Sequence, residues 1–167
     1  WDKVPGILAR SALMTASVLI IVAMSAAFAW VLTVSRVPQN LSEWVVGMQL
    51  SPLAFMFAVN VLLLLFGIFI EPLPGILVLV PILAPLAHAL GINDLQFGIV
   101  VIVNLTMGMI TPPVGGLLFV TTIVAKVPLS GMIRELWIFL WAQLACLALL
   151  STVPWISLVL PKLFGYQ

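Results

Sequence analysis

Charged side chains are scarce in this sequence. They make up only 7% of the 167 residues, whereas 64% of the residues are hydrophobic and the mean hydropathy is +1.34. A soluble domain carries about 25% charged residues, so the composition excludes an ordinary water-soluble domain. The apolar residues form long runs rather than short alternating segments, which favours membrane-spanning helices over a membrane barrel. We therefore expect an all-α integral membrane protein embedded in a lipid bilayer.

The residues on which most enzymes and metal sites depend are equally scarce. The sequence has one cysteine, Cys146, and one histidine, His88, so it offers neither an internal disulfide nor a pair of these residues at metal-ligand spacing. It also lacks a P-loop, an HExxH motif and a serine with a histidine in a recognisable arrangement. A net charge of +1 without a basic cluster argues against a nucleic-acid partner. We expect neither an enzyme nor a cofactor.

Apolar runs and their interruptions divide the chain into five segments. The segments are a first transmembrane helix that serves as scaffold (1–36), an interfacial amphipathic helix (37–50), two apolar arms around a turn near 71–75 (51–91), a broken transmembrane helix with its break at 110–116 (92–127), and a last transmembrane helix (128–167). This topology places four cations on one side of the membrane and two on the other. The first group is Lys3, Arg10, Lys126 and Arg134, and the second is Arg36 and Lys162. Because cytoplasmic loops carry an excess of Lys and Arg, the first group is expected in the cytoplasm.

The first interruption of the apolar sequence is Glu71-Pro72-Leu73-Pro74-Gly75. The preceding arm, 51–70, is long enough to span a bilayer, but the following arm, 76–90, has only about 15 residues, which is short for a complete crossing. These lengths fit a re-entrant helical hairpin whose tip lies inside the membrane. They also fit two full spans joined by a short aqueous turn, and the lengths alone leave both alternatives open.

The second interruption contains Thr111, Pro112 and Pro113, inside an apolar run from Phe97 to Val124. Two adjacent prolines cannot continue a helix, because each lacks an N–H and the second pushes the first away from helical dihedrals. Irregular backbone at membrane depth is tolerated only where it is buried in protein or lines a polar cavity. We therefore expect a broken transmembrane helix at the functional centre of the molecule.

Broken helices are the means by which many secondary transporters bind ions and substrates. Carbonyls at a helix C-terminus and a nearby oxygen side chain can coordinate Na⁺, and amides at the following helix start favour a carboxylate. Glu71 is the only acidic residue in the apolar interior, Thr111 supplies a hydroxyl at the break, and Asn104 lies seven residues before it. The alternative is a structural membrane subunit whose proline breaks only shape packing. A passive channel is a weaker hypothesis, because no ring of charge or polar stripe is present.

Several short motifs occur in one order and spacing along the chain. They are GIFIE at 67–71 with Pro74, PILAP at 81–85, GI at 91–92, FGI at 97–99, NL at 104–105, Gly108, and TPPVG at 111–115. Together they resemble the C-terminal part of the large membrane subunit of tripartite ATP-independent periplasmic (TRAP) transporters. The resemblance covers essentially the whole chain and is strongest from Leu50 to Pro128.

The resemblance implies an elevator-type symporter, driven by a Na⁺ gradient, that imports organic acids such as C4-dicarboxylates or sugar acids. The implied partners are the N-terminal half of the same permease, a small membrane subunit and a periplasmic substrate-binding protein, in a bacterial or archaeal inner membrane. The resemblance also favours the hairpin over two full spans. It implies that the hairpin tip and the TPPVG break help to form the cation and substrate sites. The implied site residues are Gly67, Glu71, Asn104, Gly108, Thr111, Pro112, Pro113 and Gly115, with Na⁺ at Glu71 and Thr111.

The sequence departs from the family pattern at two positions and in length. The family usually has Asp where this chain has Glu71, and the longer side chain would reposition or weaken a coordinated ion. The family often has Asn shortly after TPPVG, where Gly116 and Leu117 stand here. The family subunit is also much longer and is built as two inverted repeats. This chain matches the second repeat and begins without methionine, so we expect either a fragment or a permease whose other half is a separate chain.

Overall fold

The computed structural model describes residues 3–112 and 116–165, and its regular structure in that part of the chain is helical. The helices are α1 (Val4–Val34), α2 (Val37–Gly47), α3 (Pro52–Phe69), α4 (Pro72–Ala89), α5 (Asp94–Gly108), α6 (Gly116–Ala125), α7 (Leu129–Thr152) and α8 (Pro154–Leu163). Four of them, α1, α3, α4 and α7, are long and apolar enough to cross a membrane. The expected class, an all-α membrane protein, is confirmed.

Helix α5 lies at the centre of the packed part of the molecule. Its most extensive contact is with α3, and α4 and α7 also pack against it. Leu63 of α3 and Phe97, Val100, Val101 and Leu105 of α5 are almost completely buried there. Because lipid tails are as apolar as these side chains, the packing stabilises the bundle mainly through van der Waals contact. Helix α4 connects α3 to α5 and runs in the opposite direction to both. Helices α3 and α5 therefore run parallel, and their C-terminal ends lie together.

The two N-terminal helices are attached to the bundle through α4. Helix α1 packs against α4 and α2, and α2 packs against α4 in turn. Most large apolar side chains of α1 are exposed within this chain, among them Leu13 and Met24. Helix α2 has two faces, since Val45 is buried and Trp44 is exposed. Its predicted position along the membrane interface stays a prediction.

Helix α4 begins earlier than the sequence pattern predicts. The expectation of a short second arm from Ile76 is wrong, because α4 starts at Pro72 and has 18 residues. Proline is compatible with a first helical turn, where the N–H that it lacks would have no helical partner. At 1.5 Å per residue α4 is about 27 Å long, close to the thickness of the hydrocarbon layer. Helix length is therefore compatible with a full span as well as with a re-entrant arm.

Helix α7 ends at a third proline break. It stops at Thr152, and α8 resumes at Pro154, whose ring nitrogen cannot donate to the Leu150 carbonyl. Gln96 of α5 supplies a replacement donor, because its Nε2 donates to the carbonyls of Leu150 at 3.0 Å and Ser151 at 3.2 Å. A side chain of the neighbouring helix thus satisfies this end of α7 and ties α7 to α5.

Candidate functional site

The two sequence interruptions lie beside each other in the structure. Gly67, near the end of α3, meets Gly108, the last residue of α5. A Cβ built on Gly67 would lie 2.9 Å from the Leu105 carbonyl oxygen and 3.0 Å from the Gly108 Cα. A Cβ built on Gly108 would overlap the Cα and the carbonyl carbon of Gly67. This contact between two backbones brings Glu71, four residues after Gly67, next to the point where α5 ends.

A cleft of about 210 Å³ lies between the α3–α4 turn and the broken helix, and we call it the tip cleft. The residues that line it are Gly67, Ile68, Phe69, Ile70 and Glu71 from the turn, and Met109, Leu117 and Val120 from the two sides of the break. Drug-sized ligands occupy pockets of about 300–1,000 Å³, so the tip cleft is the size for an ion with a few waters rather than for a large ligand.

The C-terminal end of α3 supplies the tip cleft with carbonyl oxygens. The chain leaves the helix at Ile70, whose φ is −120° and ψ is 135°. In a longer helix the carbonyls of Gly67, Ile68 and Phe69 would accept from residues 71, 72 and 73. Residue 72 is a proline without an N–H, and no donor among the described residues bonds to these three carbonyls. Beside the cleft, the end of α3 therefore has carbonyls that lack a donor among the described residues, together with the negative end of the helix dipole.

Glu71 follows these carbonyls in an extended conformation, with φ −60° and ψ 149°. Its carbonyl accepts from the Gly75 N–H at 3.1 Å, whereas its carboxylate makes no capping bond. The side chain is exposed and lines the tip cleft. Within 3–112 and 116–165 no three His, Cys, Asp or Glu side chains gather as a metal cluster. Carbonyls with one carboxylate form an all-oxygen set, which suits a hard cation such as Na⁺.

The N-terminal end of α4 offers few amides to a substrate. Pro72 and Pro74 have no N–H, and the Gly75 N–H is bonded to the Glu71 carbonyl, which leaves Leu73 as the donor of the first turn. A helix start binds an anion well when several N–H groups point at it together. The general expectation that amides at a helix start favour a carboxylate is therefore poorly met at α4.

The C-terminal end of α5 is closed by local hydrogen bonds. The Met107 carbonyl accepts from the Ile110 N–H at 3.1 Å and from the Thr111 hydroxyl at 2.8 Å. The Gly108 carbonyl accepts from the Thr111 N–H at 3.0 Å. The Met109 carbonyl accepts from the Leu117 N–H at 3.2 Å, a bond that bridges the break itself. The carbonyls of Met107, Gly108 and Met109 are therefore paired, whereas no donor among the described residues bonds to those of Leu105 and Thr106.

Thr111 and Pro112 line a different cavity from Glu71. They border an apolar space of about 290 Å³ between α3 and α7, together with Ile68 and Trp137. Pro113 and Gly115 lie outside the described residues. The assignment of all four residues to binding sites, and the sharing of one Na⁺ by Glu71 and Thr111, stay predictions.

Asn104 lies between α5 and α3 rather than on the tip cleft. It is 0% exposed, and its Nδ2 donates to the Asn60 carbonyl at 3.0 Å and to Asn60 Oδ1 at 2.9 Å. Asn60 in turn donates from Nδ2 to the Ser151 hydroxyl of α7 at 2.8 Å. The hydrogen bonds of Asn104 join helices, and its role as a ligand stays a prediction.

Several residues of the tip cleft are not singled out by the sequence reasoning. Ile68 and Phe69 contribute main-chain carbonyls, which carry no signal in residue type. Their position is the available signal, since both carbonyls precede a proline that removes a donor. Met109 and Leu117 are apolar, and only their position on either side of the break could have indicated a role.

Comparison with known proteins identifies the family. The model of the "Tripartite ATP-independent periplasmic transporter, DctM component" family matches residues 1–156. A putative dicarboxylate transporter subunit of Paracoccus pantotrophus is 51% identical over 158 residues, which cover 95% of this chain and 75% of that protein. The C4-dicarboxylate TRAP transporter large permease protein DctM of Pseudomonas aeruginosa is 41% identical over 98% of this chain. The sialic acid TRAP transporter large permease protein SiaM of Vibrio cholerae is 37% identical over 91% of it.

The match has a defined extent within these relatives. The chain spans only 38% of the Pseudomonas permease and 36% of the Vibrio protein. The family model nevertheless covers almost all of this chain, and the family consists of transporter permeases rather than enzymes. The resemblance drawn from the motifs around Glu71 and Thr111 is thereby confirmed: the chain belongs to the DctM component family of tripartite ATP-independent periplasmic transporters.

Proposed function

We propose that the chain forms the C-terminal part of the large membrane subunit of a Na⁺-driven secondary transporter that imports organic acids. The observation that carries the proposal is the tip cleft, where carbonyls without a donor among the described residues and the Glu71 carboxylate adjoin a broken helix. Secondary transporters bind coupling ions at discontinuous helices of this kind, close to the bilayer midplane. The chain is thus a transporting subunit rather than a structural one.

The coupling ion is Na⁺, bound at the tip cleft. The carbonyls of Gly67, Ile68 and Phe69 and the Glu71 carboxylate are hard oxygen ligands, whereas a transition-metal site would use His or Cys side chains. The negative end of the α3 dipole adds to the attraction for a cation. Water and the rest of the subunit complete the coordination shell.

Helices α3 and α4 form a re-entrant hairpin with Glu71 at its tip, within an elevator-type transporter. The family resemblance carries this arrangement, and an ionisable side chain at a tip inside the membrane would mark an ion pathway. Labelling of cysteines in Leu73→Cys and Gly116→Cys variants by aqueous reagents tests this arrangement. Labelling that changes with Na⁺ supports the hairpin, whereas labelling of neither residue under any condition supports a structural subunit.

The substrate class and partners rest on the relatives. C4-dicarboxylates, named for the Pseudomonas permease, and sialic acid, named for the Vibrio protein, are both organic acids. The remaining half of the permease, a small membrane subunit and a periplasmic substrate-binding protein complete the transporter. The complex lies in a bacterial or archaeal inner membrane, with Lys3 and Lys126 on the cytoplasmic side because cytoplasmic loops are enriched in cations.

Uptake by the reconstituted complex tests the proposal. Organic-acid uptake into proteoliposomes is expected with an inward Na⁺ gradient and not with an equal K⁺ gradient. Glu71→Ala should reduce Na⁺-driven uptake by roughly tenfold or more, since it removes an ion ligand. Glu135→Ala is the matched control, because Glu135 is an exposed carboxylate of α7 away from the cleft. Uptake that ignores Na⁺, or that survives Glu71→Ala unchanged, would contradict the proposal.

A further inference from the structure

A chain of buried amide and hydroxyl groups, which we call the amide relay, joins the three helices α3, α5 and α7. Asn104 of α5 donates to the carbonyl and to Oδ1 of Asn60 in α3, at 3.0 and 2.9 Å. Asn60 donates to the Ser151 hydroxyl of α7 at 2.8 Å, and Ser151 donates to the Leu147 carbonyl at 2.8 Å. Asn60, Asn104 and Ser151 are 5%, 0% and 3% exposed.

The amide relay restrains displacement of α3 and α5 along their axes, which the contact between Gly67 and Gly108 does not. Gly67 and Gly108 allow the α3 and α5 backbones to touch, but contact between two glycines has no directional preference along the helix axes. Displacement of one helix by a single residue moves its end by about 1.5 Å. Two hydrogen bonds from one Asn104 amide to both oxygens of Asn60 are directional, and a displacement of that size would break them.

The relay is also poorly explained by stability alone. Asn104 Oδ1 is buried and has no hydrogen-bond partner in the part of the chain that the structure describes. A buried acceptor without a partner costs stability, whereas a pair of apolar side chains of similar size would leave nothing unpaired. Buried polar residues that cost stability are best known for fixing the register between helices.

We propose that Asn60 and Asn104 are positioning residues that fix the axial register of α3 against α5, and thereby the geometry of the tip cleft. The inference rests on the proposed function only in assigning a cation to that cleft. Asn104 lies one helical turn before Gly108, and Asn60 lies two turns before Gly67, so the pair acts at the crossing without reaching the ion. Ser151 links Asn60 to α7 and is not part of this restraint between α3 and α5.

A double variant separates the effect of the substitutions on helix register from their effect on stability. The single variants Asn60→Leu and Asn104→Leu should lower the melting temperature of the complex. Asn60→Leu removes the side-chain acceptor of Asn104 and keeps only the main-chain one, and Asn104→Leu leaves Asn60 Oδ1 without its donor. The double variant, Asn60→Leu with Asn104→Leu, should recover much of that loss. It should still raise the Na⁺ concentration for half-maximal uptake by roughly tenfold, the scale of positioning residues around metal sites. Ser151→Ala, the control, should lower the melting temperature without changing the Na⁺ dependence.

A distance measurement addresses the register directly. Spin labels are attached at Leu65→Cys of α3 and Ile102→Cys of α5, both exposed, in a Cys146→Ser background of the full complex. Pulsed electron resonance should show a shifted or broader distance distribution in the double variant and an unchanged one in Ser151→Ala. If the double variant fails to fold, Asn104→Leu alone should give the same change, because it removes both bonds to α3.

The outcomes distinguish the two proposals. An unchanged distance distribution in the double variant overturns the positioning role, and so does a changed distribution with an unaltered Na⁺ dependence. If uptake by the unmodified complex ignores Na⁺, the proposed coupling ion is wrong, and the spin-label distances alone then decide whether the relay fixes the register.

Discussion

The C-terminal ends of α3 and α5 touch at Gly67 and Gly108, yet they differ in how their last two helical carbonyls are paired. At the end of α3, Pro72 removes a donor and the extended Ile70 and Glu71 carry the chain away, so three carbonyls lack a donor within the described residues. At the end of α5 the chain turns back on itself, and Thr111 and Leu117 return donors to the last carbonyls.

The difference bears on which of the two proline breaks better fits the proposed cation. The TPPVG stretch has the more conspicuous sequence, but Thr111 and Leu117 already pair the carbonyls of Met107, Gly108 and Met109. The turn at Glu71 is shorter, and two residues of extended chain are too few to fold back and pair the helix end. An open helix end of this kind is suited to a cation, whereas a closed one mainly redirects the chain.

The contact that holds the two ends together should give the largest effect. Gly108→Ala should destabilise the complex by about 3 kcal/mol, the upper end of the usual cost of overpacking, because the added Cβ overlaps the Gly67 backbone. Gly98→Ala in the same helix is the control, since a Cβ there meets nothing within 4 Å and alanine favours a helix. Thermal unfolding of both variants measures the difference, and equal melting temperatures would show that the ends are not in contact.

Paired substitutions at the two ends measure how differently they bind Na⁺. Glu71→Gln should raise the Na⁺ concentration for half-maximal uptake roughly tenfold, because it removes the charge from the open end. Thr111→Val should change that concentration less than about threefold, because the lost hydroxyl bond is a local one worth about 0.6 kcal/mol. Equal shifts in the two variants would mean that the closed end also contributes a ligand.

The C-terminal end of α7 is closed by the Gln96 side chain, and removal of that side chain should lower the stability of the protein. Gln96→Leu leaves the Leu150 and Ser151 carbonyls without their donor and should cost about 1 kcal/mol in thermal unfolding. Gln143→Leu is the control, since Gln143 Oε1 already lacks a partner among the described residues. A larger loss in Gln143→Leu would contradict this assignment.

The end of α4 is closed in the ordinary way and should give the smallest effect. Gly91 has φ 76°, and its N–H donates to the His88 carbonyl at 2.9 Å. Gly91→Ala should cost about 1 kcal/mol in thermal unfolding, the lower end of the cost of a left-handed conformation for an L-residue. Gly47→Ala, where a Cβ also meets nothing within 4 Å, serves as control, and Na⁺ dependence should stay unchanged in both.

Local chemistry made part of this structure predictable. Composition identified a helical membrane protein, and the prolines near Glu71 and Thr111 explain why α3 and α5 stop where they do. The start of α4 was mispredicted because Pro72 and Pro74 were treated as breakers of a helix, although a first turn accommodates them.

Contacts between distant residues could not be predicted. Gly67 and Gly108 meet across 41 positions of sequence, and no local pattern pairs them. Asn104 looked like a candidate ligand because it is polar in an apolar helix, but the same observation fits its bonds to Asn60. The free carbonyls of Ile68 and Phe69 belong to the main chain, so residue type carries no information about them.

The contact between Gly67 and Gly108 also bears on how movement passes through the subunit. Most helix pairs meet through side chains, which change rotamer and absorb small displacements. Here backbone rests on backbone, and nothing between the two helices can yield. A movement of the end of α3 towards α5 must therefore displace α5 as well, whereas sliding along the helix axes is resisted by the amide relay.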